Sequence, residues 1–302
     1  MKVIVRLMGG LGNQMFQYAF GKNLSVTNNT ELVLDKTLLE NVKVEDTVRD
    51  FELNIFPNIN FRWATEDEIF MYNGSSGASV YQKVLRRVRN TFEPKQLVIQ
   101  ERNHINPDYL TVKDNACFVG RWQSHLFFKK TETQIREDFK LQKPIIDGFD
   151  EMLDKIKNSS SVCVHVRRGD LVTNKTYNRE IGALPREYYQ SAFSLIREEI
   201  DTPYFFIFSD DPEWCQKYLL TDINSEVVSE KLAGKCAVGH FYLMQQCKHF
   251  VISNSTFAWW AAYLASGDDK KVFYPDPWNK DPSLANPQMC PPEWYNIPAK
   301  HL

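Results

Sequence analysis

Residues Met8 to Gly21 read MGGLGNQMFQYAFG and follow KVIVRL, residues 2–7. The short β-branched run has the pattern of a first strand, and the apolar, aromatic run after the glycines has helical spacing. A strand, a glycine turn and a helix open a parallel α/β unit. The turn admits three readings. Gly10-Leu11-Gly12 begins a dinucleotide fingerprint, and Asp35 ends the next strand-like run, where an acid would hold a ribose. The third glycine of that fingerprint is replaced by Met15, which would crowd the helix against the strand. The turn could equally be a bare strand–helix connection that needs glycine for positive φ. In the third reading, Asn13 and Gln14 stand at a helix N-terminus whose amides favour an anion or a sugar.

Outward from this turn, strand patterns recur at 31–35, 96–100, 116–121, 161–167, 204–209, 225–229, 249–253 and 271–274. Helical patterns fall at 13–26, 146–157, 186–199, 212–219 and 256–266. The alternation implies parallel sheets with crossovers. The loop KLQKPIIDGFD, 140–150, is the expected junction between domains 1–145 and 146–302. Residues 36–95 are less regular. They hold the loop YNGSSGAS, 72–79, and the cluster Glu66-Asp67-Glu68, read as a solvated helix start.

The 302 residues are 43% hydrophobic and 25% charged, with a net charge of −2. That composition is globular, and the charge gives no pull toward nucleic acid or an acidic membrane. No apolar run has the length of a membrane span, and the N-terminus has no signal-peptide core. The expectation is a cytoplasmic protein. Six cysteines show no C-x-x-C spacing. They read as reduced thiols, and no metal site is expected.

Three strand ends carry the chemistry. VCVHVRRGD, 162–170, runs a strand into Arg167, Arg168 and Asp170, with His165 just before. Neighbouring residues on a strand face opposite ways, so one arginine can face a crevice while a carboxylate ties down the other. The plainer reading is a surface pair such as Arg168–Asp170, with His165 a core histidine. FSDDPEW, 208–214, places Pro212 at the first position of a helix and Asp211 as its cap, which leaves Asp210 at the strand end. No D-x-D triplet occurs to hold a metal-bound diphosphate. In ISNSTFAWW, 252–260, Ser253, Asn254, Ser255 and Thr256 precede a helix. Their polar side chains and the free amides make a phosphate-sized site. Phe257 is placed to stack on a base or sugar, and Trp259 and Trp260 read as core.

Together GGLGNQMFQYAFG, GRWQSHLFF, HVRRGD, FSDDPEW and LMQQCKHFVISNSTFAWWAAYL resemble the α-1,2-fucosyltransferases of glycosyltransferase family 11. The motifs run in family order from residue 9 to 264. The resemblance implies an α/β GT-B fold, two Rossmann-like domains facing across a crevice. The first would be the acceptor side and the second would bind GDP-fucose. It implies inverting, metal-free transfer of L-fucose to the 2-hydroxyl of a terminal β-galactoside. The acceptor would be a surface oligosaccharide or lipid-linked glycan, reached by peripheral contact at the inner membrane face. Carried over by position, Arg167 holds the donor β-phosphate and Arg168 is the more structural arginine. Asn13, with Gly10 and Gly12, approaches the diphosphate. Ser255, Thr256 and Phe257, after Asn254, cup the phosphates, and His165 and Asp210 line the nucleotide pocket. Asp170 is the carboxylate nearest the arginines and the first candidate for the base; Glu180 and Asp35 are others. His240 stands where the family often carries an acid. A non-catalytic GDP- or glycan-binding protein, or a fucosyltransferase of another linkage, would share these features.

Overall fold

The computed structural model describes residues 2–40, 49–73, 96–100, 106–112, 115–220 and 224–302. Most of the expected 72–79 loop lies outside them. The chain divides into two compact units, Met1–Lys140 and Leu141–Leu302. Each is built on a parallel sheet, so the α/β class read from the alternating pattern holds for both.

The first unit contains β1 (Lys2–Arg6), β2 (Glu31–Asp35), β3 (Arg62–Trp63), β4 (Gln96–Ile99) and β5 (Ala116–Val119), in the order β3-β2-β1-β5-β4. Every pairing is parallel. The helix Leu11–Thr27 returns the chain from β1 toward β2 and is buried along nearly its whole length. Trp122 stacks on Phe20 of this helix at 4.0 Å and 2°, while Phe118 and Phe127 meet Phe20 edge-on. Met15 is fully buried. The close approach of helix to sheet is made by Gly21 instead. A Cβ there would come within 2.6 Å of Val5 Cγ2 and 2.7 Å of Leu32 Cδ1.

Asp35 is committed inside the unit. Its Oδ2 accepts from Arg6 Nε at 2.6 Å and its Oδ1 from the Thr37 amide at 2.9 Å. That removes the ribose-binding acid from the dinucleotide reading. The cluster at 66–68 also departs from expectation. Glu66 and Asp67 are exposed in the first turn of the helix Glu66–Asn73, but Glu68 is not solvated. Arg62 donates to both Glu68 oxygens, at 2.8 and 3.0 Å, and to both Glu31 oxygens, at 3.0 Å. Lys2 pairs with Glu68 as well. Arg62, above all, holds the Glu68 carboxyl well below the usual range. This network fixes the two-residue β3 at the sheet edge, a strand too short to leave a pattern in the sequence.

The second unit contains β6 (Ser160–Val166), β7 (Pro203–Ser209), β8 (Ser225–Val227), β9 (His249–Val251), β10 (Val272–Asp276) and β11 (Tyr295–Pro298), in the order β11-β10-β9-β6-β7-β8. All pairings are again parallel. The chain starts in the middle at β6, winds out to β8, then returns to β9 and winds the other way. That is the doubly wound order, with a switch point between β6 and β9. The helix Arg186–Glu199 buries Tyr188, Tyr189, Ala192, Phe193 and Ile196. The Tyr188 hydroxyl donates to the Ile252 carbonyl at 2.6 Å, tying this helix to the end of β9. Trp259 and Trp260 are fully buried, as read. The helix Val238–Gln245 and the edge strand β11 were not expected. The helix is apolar around most of its surface, and β11 buries only one of four residues, so neither shows a clean period.

Gly21→Ala should lower stability by up to about 2 kcal/mol. The overpacking cost of about 1–3 kcal/mol exceeds the helix-propensity gain of Ala over Gly, about 1 kcal/mol. A urea unfolding curve checks this, and an unchanged midpoint would remove Gly21 from the helix–sheet contact.

Candidate functional site

In a doubly wound sheet the crevice opens at the carboxyl ends of the strands that flank the switch point. In the second unit those ends are Arg167, after β6, and Ser253, after β9. The residues singled out from the sequence converge there. His165 Nδ1 and Ser253 Oγ are 2.8 Å apart and bridge the two strand ends. The His165 ring lies 6.0 Å from that of Phe257, which in turn packs against Phe241 at 5.0 Å. Loss of water, then the positive charge of Arg167, push the His165 pKa down to about 3. The imidazole is therefore neutral at any ordinary working pH.

The two arginines are held differently. Arg167 forks onto Asp170, Nε to Oδ1 at 3.1 Å and Nη2 to Oδ2 at 2.7 Å. This pair is partly open to solvent, with side chains 25% and 22% exposed. Arg168 is the deeper of the two. Its Nε bonds Asp211 Oδ2 at 3.1 Å, and its guanidinium lies 4.1 Å from the centre of the Trp214 ring. Its Nη1 is buried and has no acceptor among the described residues. The plain surface pair Arg168–Asp170 is not formed; the partners are exchanged. Asp211 also caps the helix Pro212–Tyr218, accepting from the Trp214 amide at 3.1 Å. Asp210 is exposed and accepts from the Arg168 amide at 2.8 Å. It braces the turn into Gly169, where a Cβ would come within 2.9 Å of Asp210 Oδ2.

The helix Thr256–Leu264 begins without a side-chain cap, although Ser255 occupies the cap position. Three small polar residues, Ser253, Asn254 and Ser255, precede it, yet none caps it. Ser253 is spent on His165, and Asn254 Nδ2 donates to the carbonyls of Ile181 and Gly182 at 3.2 and 2.8 Å. Asn254 Oδ1 is buried without a partner among the described residues, and Ser255 is buried. Thr256 and Phe257 are partly open to solvent. An uncapped helix start presents free amides of the kind that take an oxyanion. His240 is buried, its Nε2 lies 3.0 Å from the Ser229 carbonyl, and burial lowers its pKa.

The first unit has a second strand-end site, between β1 and β5. Gly9 turns the chain with φ +74°, whereas Gly10 is extended and caps the helix start, with Gly12 in the first turn. Asn13 Oδ1 accepts from Gln123 Nε2 at 2.7 Å. The hydrogen bond spans the gap between the ends of β1 and β5 and fixes the Asn13 amide. Gln14 and Gln17 do the architectural work. Gln14 donates to the Gly9 and Asp50 carbonyls at 2.9 and 2.8 Å and accepts from the Glu52 amide at 2.9 Å. Gln17 accepts from the Met8 amide at 3.0 Å and donates to the Gly120 carbonyl at 3.2 Å. Sequence reading placed Gln14 at the helix N-terminus without its buried bonds, and passed over Gln17, Gln123 and Glu52. The signal available was two glutamines three apart on an otherwise apolar helix, which must be paired if buried.

Among the described residues no three His, Cys, Asp or Glu side chains gather as ligands for a metal ion. None of the described helices is long and apolar enough to cross a membrane.

Two parallel-sheet, Rossmann-like units give the chain the α/β architecture of the GT-B class. The chain belongs to glycosyl transferase family 11, whose model matches residues 2–298, and is a glycosyltransferase. It is 32% identical over 304 residues to an alpha-1,2-colitosyltransferase of Escherichia coli, covering 98% of both chains. It is 30% identical to the O-antigen biosynthesis glycosyltransferase WbnK of Escherichia coli, over 90% of this chain and 93% of that one. A galactoside 2-alpha-L-fucosyltransferase of Bos taurus is 30% identical over 66% of this chain and 55% of its own length. Among solved structures, the fucosyltransferase NodZ from Bradyrhizobium aligns over 87% of this chain and 93% of that one, at 13% identity and a TM-score of 0.44.

His165 makes stability pH-dependent. Its pKa is about 3 in the folded chain and about 6.5 when unfolded. Between those values the unfolded chain binds the extra proton, so stability is complete above pH 6.5 and falls as the pH drops toward 3. From pH 6.5 to 5 the loss should be about 2 kcal/mol. Urea midpoints at pH 7, 6 and 5 for wild type and His165→Asn test this. Equal pH slopes would show that His165 is protonated alike in both states.

Proposed function

We propose that the protein transfers L-fucose from GDP-fucose to the 2-hydroxyl of a terminal β-galactoside on a surface glycan, with inversion and without a metal ion. The observation that carries this is the β6–β9 strand end, where Arg167 follows one strand, close enough to His165 to act on its charge, and an uncapped helix start follows the other. Family membership and relatives named for α-1,2 linkages support the reaction class.

In such a transfer the bond from the sugar to the β-phosphate breaks and negative charge grows on the leaving phosphate. Arg167 supplies a positive charge whose geometry Asp170 presets. The amides of Thr256 and Phe257, at a helix start without a side-chain cap, supply further donors, while Arg168, on Asp211 and Trp214, holds the turn. Asp170 is bonded to Arg167 through both oxygens, so its role here is to orient the arginine, in addition to any role as base. A lipid-linked glycan at the inner membrane face is the acceptor this reading favours.

A second reading keeps the linkage and changes the sugar, because an E. coli relative at 32% identity is named a colitosyltransferase. Colitose is L-fucose without its 3-hydroxyl. A site that hydrogen-bonds that hydroxyl rejects colitose strongly, and a site lined by apolar groups does not.

GDP release from GDP-fucose with a panel of β-galactosides, in EDTA, tests both. Wild type should turn over undiminished by the chelator. Arg167→Ala should lose about 100- to 1000-fold, the effect of removing one oxyanion donor, and Arg167→Lys should lose less. Persisting turnover in Arg167→Ala would remove this residue from the mechanism. Turnover with nucleotide-activated colitose alone would establish the second reading, and GDP binding without transfer to any acceptor would indicate a non-catalytic protein.

A further inference from the structure

In the first unit, the turn after β5 holds a residue in a strained conformation. Trp122 has φ +53°. Asparagine tolerates that region, as at Asn29 and Asn115, but for a bulky side chain it is an outlier that costs free energy. The ring is in no position to relax the strain. It is fully buried, stacked on Phe20 at 4.0 Å, and met edge-on by Tyr109, Phe118 and Phe127. Its Nε1 is buried with no acceptor among the described residues, so no side-chain hydrogen bond there offsets the cost.

Strain of this kind persists where the surroundings over-determine it. Here the determining group is Gln100, the residue after β4. Its Oε1 accepts from two successive amides, those of Arg121 and Trp122, each at 2.9 Å. Gly120 makes the space. A Cβ there would come within 2.5 Å of Gln100 Cβ and 2.7 Å of Gln100 Oε1. From the helix side, Gln17 Nε2 donates to the Gly120 carbonyl at 3.2 Å. The chain is therefore gripped through Gly120, Arg121 and Trp122, and the residue it delivers next is Gln123.

Gln123 Nε2 donates to Asn13 Oδ1 at 2.7 Å. That bond turns the oxygen of the Asn13 amide toward the end of β5 and its Nδ2 away. Asn13 is partly open to solvent. Its Nδ2 lies over Gly9, where φ is +74° and a Cβ would collide with it. Gly9 thus serves the turn and also leaves the room that the amide occupies. Two separate features, the grip on Trp122 and the bare backbone at Gly9, converge on the placing of one amide group. All of these residues belong to the first unit.

We propose that Gln100 is a positioning residue of the transfer. By holding Trp122 at positive φ it aims Gln123 at Asn13, whose Nδ2 then donates to a substrate oxygen. The inference rests on the sugar-transfer reading above. An amide Nδ2 only donates, so its partner is a hydroxyl or phosphate oxygen. Gln100 itself touches no substrate and acts through the direction it gives to Asn13.

A double-mutant cycle read in kcat/KM, with GDP-fucose and the β-galactoside that wild type uses, tests this. Gln100→Ala should lose about 100-fold, the effect of misplacing a group from a distance. Gln100→Glu keeps an acceptor for both amides and should recover most of that loss. In an Asn13→Ala background, Gln100→Ala should cost less than about threefold more, because the group it aims is gone. A general loosening of the fold would lower both backgrounds alike, so full additivity overturns the proposal. A loss carried by the KM for GDP-fucose supports it with the accepting oxygen on the donor, and one carried by the KM for the galactoside supports it with that oxygen on the acceptor. Wild-type kcat/KM in a folded Gln100→Ala, or a Gln100→Glu no better than Gln100→Ala, overturns the proposal and leaves the function standing. If Gln100→Ala fails to fold, Gln100→Asn, too short to reach both amides, takes its place in the cycle, and additivity there overturns the proposal. A wild type that transfers no sugar to any acceptor overturns the functional reading and this inference together.

Discussion

At the carboxyl ends of β6 and β9 the parallel ladder stops and the chain leaves in two directions. Every backbone and side-chain polar group beyond that point has to find a partner that is not the neighbouring strand. The second unit solves this with side chains. Asn254 reaches back to the carbonyls of Ile181 and Gly182, Asp210 takes the Arg168 amide, and Ser253 takes His165. Each bond also fixes something that faces the opening. The same atoms that complete the fold set the aim of the site.

The first unit meets the same constraint with amides in place of charges. Gln17 and Gln123 close the gap between the ends of β1 and β5, and Gln14 ties Gly9 to Asp50 and Glu52. A glutamine suits this place because it donates and accepts at once and brings no charge into a buried helix face. Gln14 and Gln17 are fully buried, and an unpaired amide there would cost about 1–3 kcal/mol. Their bonds therefore hold the glycine loop in one conformation as firmly as a core contact would.

Much of the fold was legible because burial leaves a period. The strand runs read from the sequence all became strands, and the helix at 186–199 falls where its apolar spacing put it. The exceptions have physical reasons. β3 has two residues and is held by the Arg62 network, so its position depends on charges distant in sequence. The helix Val238–Gln245 is apolar on most sides and shows no stripe. At the site, Asp211 as a helix cap followed from Pro212 after a strand, a local rule. The pairing of Arg167 with Asp170 and of Arg168 with Asp211 did not, because it depends on which way the turn at Gly169 is braced. Glu52 left no local mark at all; it is 41 residues from the amide it caps.

The charge count at the β6–β9 strand end has a consequence for how an anion would be held. Arg167 and Arg168 bring two positive charges, while Asp170, Asp210 and Asp211 bring three negative ones. The sum is not attractive to a diphosphate, so long-range charge is not what would draw one in. The attraction has to come from donors already oriented and not yet used. Those are the amides of a helix start that its own serine does not cap. An N–H group held in place away from water costs free energy until something accepts from it. A phosphate oxygen placed there would recover that cost, and the carboxylates around it keep the guanidinium forks aligned while doing so. Recognition of this kind depends on shape and direction more than on net charge, and it weakens less with salt than a basic patch would.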